Sequence, residues 1–421
     1  NAIAQEDGQK TIISGYVSPK NDNIDLDIEA EDTNVEFLKS FCGSFMSNIE
    51  ASASGKVKIA GPLSAINLSG ELVANGSLKI TPTNTTYRLA NDIIRMIPNR
   101  IILARDTIYD KNGNMGVVNG VLKHHNLTQL TYDLNISAKN LLSYDTHDFG
   151  DNTFYGTAYT TGTCHIYEHN GEITIDIDVI PEKGSQFVYN TTSTGGVNNQ
   201  QFIHWITGLD SDIANTGKLP EIQIQTEEEE NTPPSDIHIN FLINMTPHAT
   251  LKLLMDEKTG DYIALNGNGV LRATYFNKGR FDMYGNYIID HGIYKLTIQN
   301  IIKKEFQFSP NGSIAFGGDP YNATLDLKAQ YVVPAVSLSD LNLAQSITTN
   351  NIRVNCILNI TGTPANPKLD FSLDMPSLGN EAKQMIFSII NSENEMNQQV
   401  LYLLAVGRFY SQGNNNDSFS P

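Results

Sequence analysis

Apolar and polar residues alternate with a period of two along much of this chain, and no other feature limits its fold as strongly. Ile24, Leu26 and Ile28 alternate with Asp25, Asp27 and Glu29. Ile173, Ile175, Ile177 and Val179 alternate with Thr174, Asp176 and Asp178. Ile237, Ile239, Phe241 and Ile243 form a third row, and Ile352, Val354, Cys356, Leu358 and Ile360 a fourth. Leu369, Phe371, Leu373 and Met375 form a fifth. Successive side chains of a strand point to opposite faces, so each row is a strand with one apolar and one wetted face. Strands of buried parallel sheets read instead as unbroken apolar runs. Many one-sided strands therefore predict a mainly β fold with an antiparallel-rich sheet.

Turn chemistry separates the strands, with 32 glycines and abundant Asn to supply positive φ. One connection recurs. Gly318-Asp319-Pro320-Tyr321-Asn322-Ala323-Thr324-Leu325 and Gly362-Thr363-Pro364-Ala365-Asn366-Pro367-Lys368-Leu369 share the frame G-x-P-x-N-x-x-L, and Gly61-Pro62 followed by Leu68 is a looser copy. Such a frame is either ordinary reuse of a meander turn or a repeated hairpin unit that extends by stacking.

Helical signals are few. Thr33-x-x-Glu36 reads as a capping box before Phe37, Leu38, Phe41 and Phe45, and a short helix is expected after Ser337. Leu378, Ala382, Met385, Ile386, Ile389 and Ile390 keep helical spacing. Ser392-x-x-Glu395 opens a second helix with Met396, Val400, Leu403 and Leu404 on one face and Gly407 as its stop. The acidic run Glu227–Glu230 with Pro233 and Pro234 predicts a solvated loop over 227–235. That loop divides a β segment, 1–226, with a helix near 33–46, from a second β region, 236–376. Two amphipathic helices over 377–411 and an Asn/Ser-rich tail over 412–421, expected to be disordered, complete the chain.

Composition removes several functions. Acidic residues outnumber basic ones 46 to 28, net charge -18, so there is no basic stripe for nucleic acid or for anionic headgroups. No apolar run approaches the roughly 18–20 residues of a membrane span. Cys42, Cys164 and Cys356 lie at no disulfide or zinc spacing. Cys164-His165 with His169 fails as a metal cluster because strand neighbours point to opposite faces. Asp145, Asp148 and Asp151 lack the alternating spacing of a calcium loop. His124-His125 falls in a turn, and Gly267 and Gly269 lack the third glycine and helix of a dinucleotide site. No nucleophile elbow or phosphate loop is present, so the expectation is a protein that is not an enzyme and carries no cofactor or metal.

Two architectures satisfy the alternation: a closed sandwich, or one long sheet curled into a trough with its apolar rows inside. A trough shelters acyl chains at about 0.8 kcal/mol per buried methylene.

A set of segments in order resembles a known family. Gly285-Asn286-Tyr287-Ile288-Ile289-Asp290-His291-Gly292-Ile293-Tyr294-Lys295-Leu296 precedes Lys304-Glu305-Phe306. Gly312-Ser313-Ile314-Ala315-Phe316-Gly317-Gly318-Asp319-Pro320 continues to Leu327. Ile360-Thr361-Gly362-Thr363-Pro364, with Pro367, Leu369, Phe371 and the two helices, follows, and Phe154-Tyr155-Gly156 with Ala158 and Tyr159 lies upstream. Together they resemble the C-terminal region of the TamB family of translocation and assembly module subunits, in the AsmA-like superfamily. The resemblance implies a Gram-negative periplasmic protein, anchored in the inner membrane by an N-terminal helix and reaching the outer membrane. It implies a β-taco, a long sheet folded into a hydrophobic trough. It implies phospholipids as cargo, or a part in assembling outer-membrane barrels, and a TamA-type barrel as partner. The chain starts at Asn1 without an anchor helix, and family members continue past Phe409-Tyr410, so the sequence reads as a piece of a longer protein.

The leading expectation is a passive lipid conduit. Its groove candidates are Ile237, Ile239, Phe241, Leu251, Leu253, Leu325, Leu327, Ile352, Val354, Leu358, Ile360, Leu369, Phe371 and Leu373. Met385, Ile389, Leu403 and Leu404 are the candidates for docking a partner. Rival expectations are a barrel-assembly factor offering a sheet edge to incoming strands, and an adhesive β module.

Overall fold

The computed structural model describes residues 1–6, 8–36, 46–81, 83–126, 128–150, 154–190, 236–276, 278–298, 300–343 and 351–411. Most of them lie in strands, and the strands belong to one sheet of 21. One long sheet replaces the pair of sheets that a sandwich needs. The expected helix over 33–46, Cys42, the loop over 227–235 and the tail over 412–421 lie largely or wholly outside the described residues.

The chain divides into two compact units. The first comprises Asn1–Phe187, Gly195–Asn244 and Leu271–Asp282, and the second Val188–Thr194, Met245–Val270 and Met283–Pro421. The first unit opens with β1 (Ala2–Glu6), β2 (Gln9–Ser18), β3 (Asn23–Asn34), β4 (Met46–Gly61) and β5 (Asn67–Ile80). It continues with β6 (Thr85–Ile97), β7 (Arg100–Tyr109), β8 (Met115–His125), β9 (Thr128–Asp145), β10 (Phe154–His169) and β11 (Glu172–Pro181). These pair in sequence order, each antiparallel to the next. After the short β12 (Gln186–Asn190), β13 (Asp236–Met245) lies parallel to β11. That parallel step makes the sheet mixed, a departure the alternation did not reveal.

Further on come β14 (Thr250–Asp256), β15 (Asp261–Phe276), β16 (Phe281–Ile298), β17 (Ile302–Phe308) and β18 (Ser313–Gly318). The last strands are β19 (Thr324–Val336), β20 (Ile352–Gly362) and β21 (Pro367–Asp374). The two helices follow: α1 (Asn380–Ile389) and α2 (Glu393–Val406). At α2 the Ser392 hydroxyl accepts the Glu395 N–H at 3.1 Å, and Gly407 ends the helix at φ 72°. The two G-x-P-x-N frames become neighbouring turns, and the Ala365 N–H donates to the Tyr321 carbonyl at 3.2 Å. At the end of β3 the Asn34 side chain accepts the Glu36 N–H at 2.7 Å. The helix expected after Ser337 is a single 3-10 turn, Leu338–Leu341.

A recurring bulge shapes the first unit. Asp32 on β3, Asn91 on β6, Arg105 on β7 and Asn140 on β9 all have φ of 45–55°. In each case the freed N–H finds a side chain on an adjacent strand: Ser54 at 2.9 Å, Asn75 at 2.8 Å, Asn119 at 2.7 Å and Thr161 at 3.0 Å. A bulge bends its strand and sharpens the local twist. It recurs here on four strands and bends each of them locally. Gly70, with φ 135°, permits a close approach of β4 to β5. A Cβ there would lie 2.1 Å from the Lys56 carbonyl oxygen.

Candidate functional site

In the first unit, register joins the apolar rows of ten strands into one stripe. Ala30 pairs with Gly55, Gly55 with Leu72, Leu72 with Ile94, and Ile94 with Leu103. Leu103 pairs with Gly120, Gly120 with Leu134, Leu134 with Ile166, Ile166 with Ile175, and Ile175 with Ile239. At about 4.8 Å per strand the stripe runs roughly 40 Å along the ladder. A flanking row, Ile13–Ile28–Val57–Gly70–Met96–Ile101–Leu122–Tyr132, lies beside it. Leu72, Ile94, Leu103, Leu134, Ile166 and Ile175 are only half-buried. Side chains this apolar, paired on both sides yet still partly open, mark a sheet face without a complete second layer.

Three groove candidates belong to this face. Ile237, Ile239 and Phe241 on β13 pair with Ile173, Ile175 and Ile177; Ile239 is buried and the other two are half-buried.

The remaining candidates belong to the second unit. Leu251 and Leu253 are half-buried and pair with Leu265 and Ile263. Leu325 and Leu327 on β19, Ile352, Val354, Leu358 and Ile360 on β20, and Leu373 on β21 are buried, Val354 and Leu358 to 0% exposure. Register joins Leu327 to Ile360, Ile360 to Leu369, Leu358 to Phe371, and Val333 to Val354. Leu369 is 41% exposed, whereas Phe371 is half-buried with its ring 6.5 Å from that of Phe306. Helix α2 packs against β17, β20 and β21 and buries Val400, Leu403 and Leu404. Within the second unit, Ile352, Val354 and Leu358 therefore sit in a closed core. Of the docking candidates, Leu403 and Leu404 are inside that core, and Met385 and Ile389 on α1 are half-buried.

Sequence reasoning missed two features of the first unit. One is the stripe itself beyond Leu26, Ile28 and the β11 and β13 rows. The other is a pair of carboxyls on the same face. Pairing of β6 with β7 stops at Leu89–Ile108 and resumes at Ile94–Leu103, and Asp92 and Asp106 fall in the gap. Asp92 Oδ1 accepts the Thr107 N–H at 2.8 Å, and Asp106 Oδ1 accepts the Ile93 N–H at 3.0 Å. Both residues are buried, at 6% and 8% exposure, and the Oδ2 atom of each has no hydrogen-bond partner. Burial, with the neighbouring charge of Asp92, lifts Asp106 to about 6; burial also raises Asp92.

The rejected metal ligands are separated as strand geometry requires. Cys164 faces the stripe, its thiol pushed by burial to about 11. His165 turns to the other face, its Nε2 2.7 Å from Asp133. Asp145 is held by Lys111 Nζ at 2.8 Å and by the Thr157 hydroxyl at 3.1 Å.

One mixed sheet of 21 strands, with a half-covered apolar face in the first unit and a helix-capped core in the second, defines a mainly β protein. The family model for the TamB C-terminal domain matches residues 100–420, and the chain belongs to that family. Its role is of the TamB type, within the translocation and assembly module, and the family is one of Gram-negative envelope proteins. No curated protein matches the chain.

Proposed function

We propose that the chain is a non-enzymatic conduit that carries phospholipid acyl chains on the apolar stripe of its first unit, across the periplasm and toward a TamA-type barrel. The observation that carries this reading is the continuous, directly paired row from Ala30, half-covered as far as Ile175 and ending on the buried Ile239. Acyl chains have no hydrogen bonds to satisfy, and each methylene moved from water onto such a face gains up to about 0.8 kcal/mol. Most of the stripe is apolar, so cargo meets the same chemistry over most of its length. The reading makes no use of catalysis, and direction comes from outside the chain.

Family membership also supports a second reading, a part in barrel assembly. An incoming strand is recognised through unpaired backbone N–H and C=O groups. The stripe offers side chains from strands whose backbones are already paired, so it suits acyl cargo better. The test is to purify the chain from a Gram-negative periplasm, extract it with organic solvent and identify lipids by mass spectrometry against a soluble control. Phospholipid bound in stoichiometric amount is expected. An intact sheet with no lipid above control would overturn the conduit.

A further inference from the structure

A charged carboxylate is out of place on a surface whose work is to shelter acyl chains. Asp92 and Asp106 nevertheless interrupt that surface at the bend between β6 and β7, opposite Ala74 on β5 and Val118 on β8. Each carboxyl has one oxygen engaged by a backbone N–H and a second, buried oxygen with nothing to bond. A buried acceptor left in that condition is costly as an anion and far less so once protonated.

Resting on the conduit reading, we propose that the Asp92–Asp106 pair couples cargo to protons: Asp106 takes up one proton from solvent when acyl chains cover the bend, and returns it when they leave. The proton adds to the free Oδ2, converting carboxylate to carboxylic acid, and no other bond changes. Acyl chains over the bend replace the water beyond that buried oxygen with hydrocarbon and lower the local dielectric, which favours the neutral form. Linkage is reciprocal, so a proton bound tenfold more tightly in the loaded state makes loading about tenfold weaker above the titration than below it.

The surroundings leave the pair in charge of this response. The neighbouring inward positions on β5 and β8 are Leu72, Ala74, Gly116, Val118 and Gly120, and Ile136 follows on β9. Glu71 and Arg95 bond to each other at 3.4 Å and are exposed, as are Arg88 and Arg105. Farther along the same face, Asp110 accepts three backbone N–H groups, from Asn112, Asn114 and Leu142. It stands roughly 13 Å along the strand from Asp106. Asp145 is neutralised by Lys111. Burial lowers the pKa of His124 and lifts that of Tyr87 to about 12.

The test uses the full chain and a phosphatidylcholine with a pyrene-labelled acyl chain, whose headgroup does not titrate between about pH 5 and pH 8. Binding is titrated across that range for the wild type, Asp106→Asn and Asp92→Asn. The wild type is expected to bind about tenfold more weakly at the high end. Asp106→Asn, which keeps the Oδ1 acceptor, is expected to bind tightly throughout. Infrared spectra of the loaded wild type should show a protonated carboxyl band that Asp106→Asn lacks. Binding that is unchanged with pH in the wild type overturns the proton coupling alone. No binding at any pH overturns the conduit reading, and the coupling with it.

Discussion

Replacing Asp106 by Asn should stabilise the first unit at neutral pH, an unusual outcome for loss of a buried hydrogen-bonding side chain. The Asp106 carboxyl is lifted from 3.8 to about 6 by burial and by the charge of Asp92. The folded chain therefore holds this proton more tightly than the unfolded chain does. Stability from this group is full below about pH 4, declines as pH rises toward about 6, and stays at its lower level above that. The difference amounts to about 3 kcal/mol. Asn keeps an acceptor for the Ile93 N–H and carries no charge, so the variant escapes the decline. Asp92, raised in the same direction, leaves a residual slope of the same sign. The assay is urea unfolding at about pH 4.5 and pH 7.5, read by hydrogen exchange in peptides from β6 and β7. The wild-type midpoint should fall between the two, and that of Asp106→Asn should fall much less and exceed the wild type at the higher pH. Midpoints falling in parallel, or a less stable variant at pH 7.5, would refute the reasoning.

Val354→Asp should unfold the sheet around β20, because a residue at 0% exposure, paired with Val333, has no water for a carboxylate; a loss of roughly 3–5 kcal/mol is expected by thermal melting. Ser392→Ala removes the cap of α2 and should cost about 1 kcal/mol, read as faster exchange of the Glu395 amide. Gly70→Ala forces a Cβ against the Lys56 carbonyl and should lower the urea midpoint by the equivalent of at least about 1–3 kcal/mol.

The parts of the fold that follow from local rules were legible. Alternation from Ile24 to Glu29 and from Ile173 to Val179 located β3 and β11, and Ser392, Glu395 and Gly407 marked both ends of α2. What depends on distant partners was hidden. An apolar row such as Ile352–Ile360 looks the same whether it faces a groove or a helix, and only the placement of α2 separates the two. The bulges at Asn91 and Arg105 shift the alternation by one residue, so β6 and β7 change phase midway and their share of the stripe does not read as a single row. Arg105 in particular adopts a left-handed backbone with none of the local signal that Asn or Asp supplies. Nothing in the local pattern marks Asp92 and Asp106 as buried, for the same reason. The parallel pairing of β11 with β13 joins segments far apart in sequence, with no periodicity to announce it.

The measurement that bears most directly on the central claim is site-specific photocrosslinking in a living Gram-negative cell. A photoreactive residue at Leu103, within the apolar stripe, is compared with one at Arg105, exposed on the same strand. The account predicts phospholipid adducts, identified by mass spectrometry, at Leu103 and not at Arg105. Equal labelling at the two positions, or protein adducts without lipid at Leu103, would contradict it.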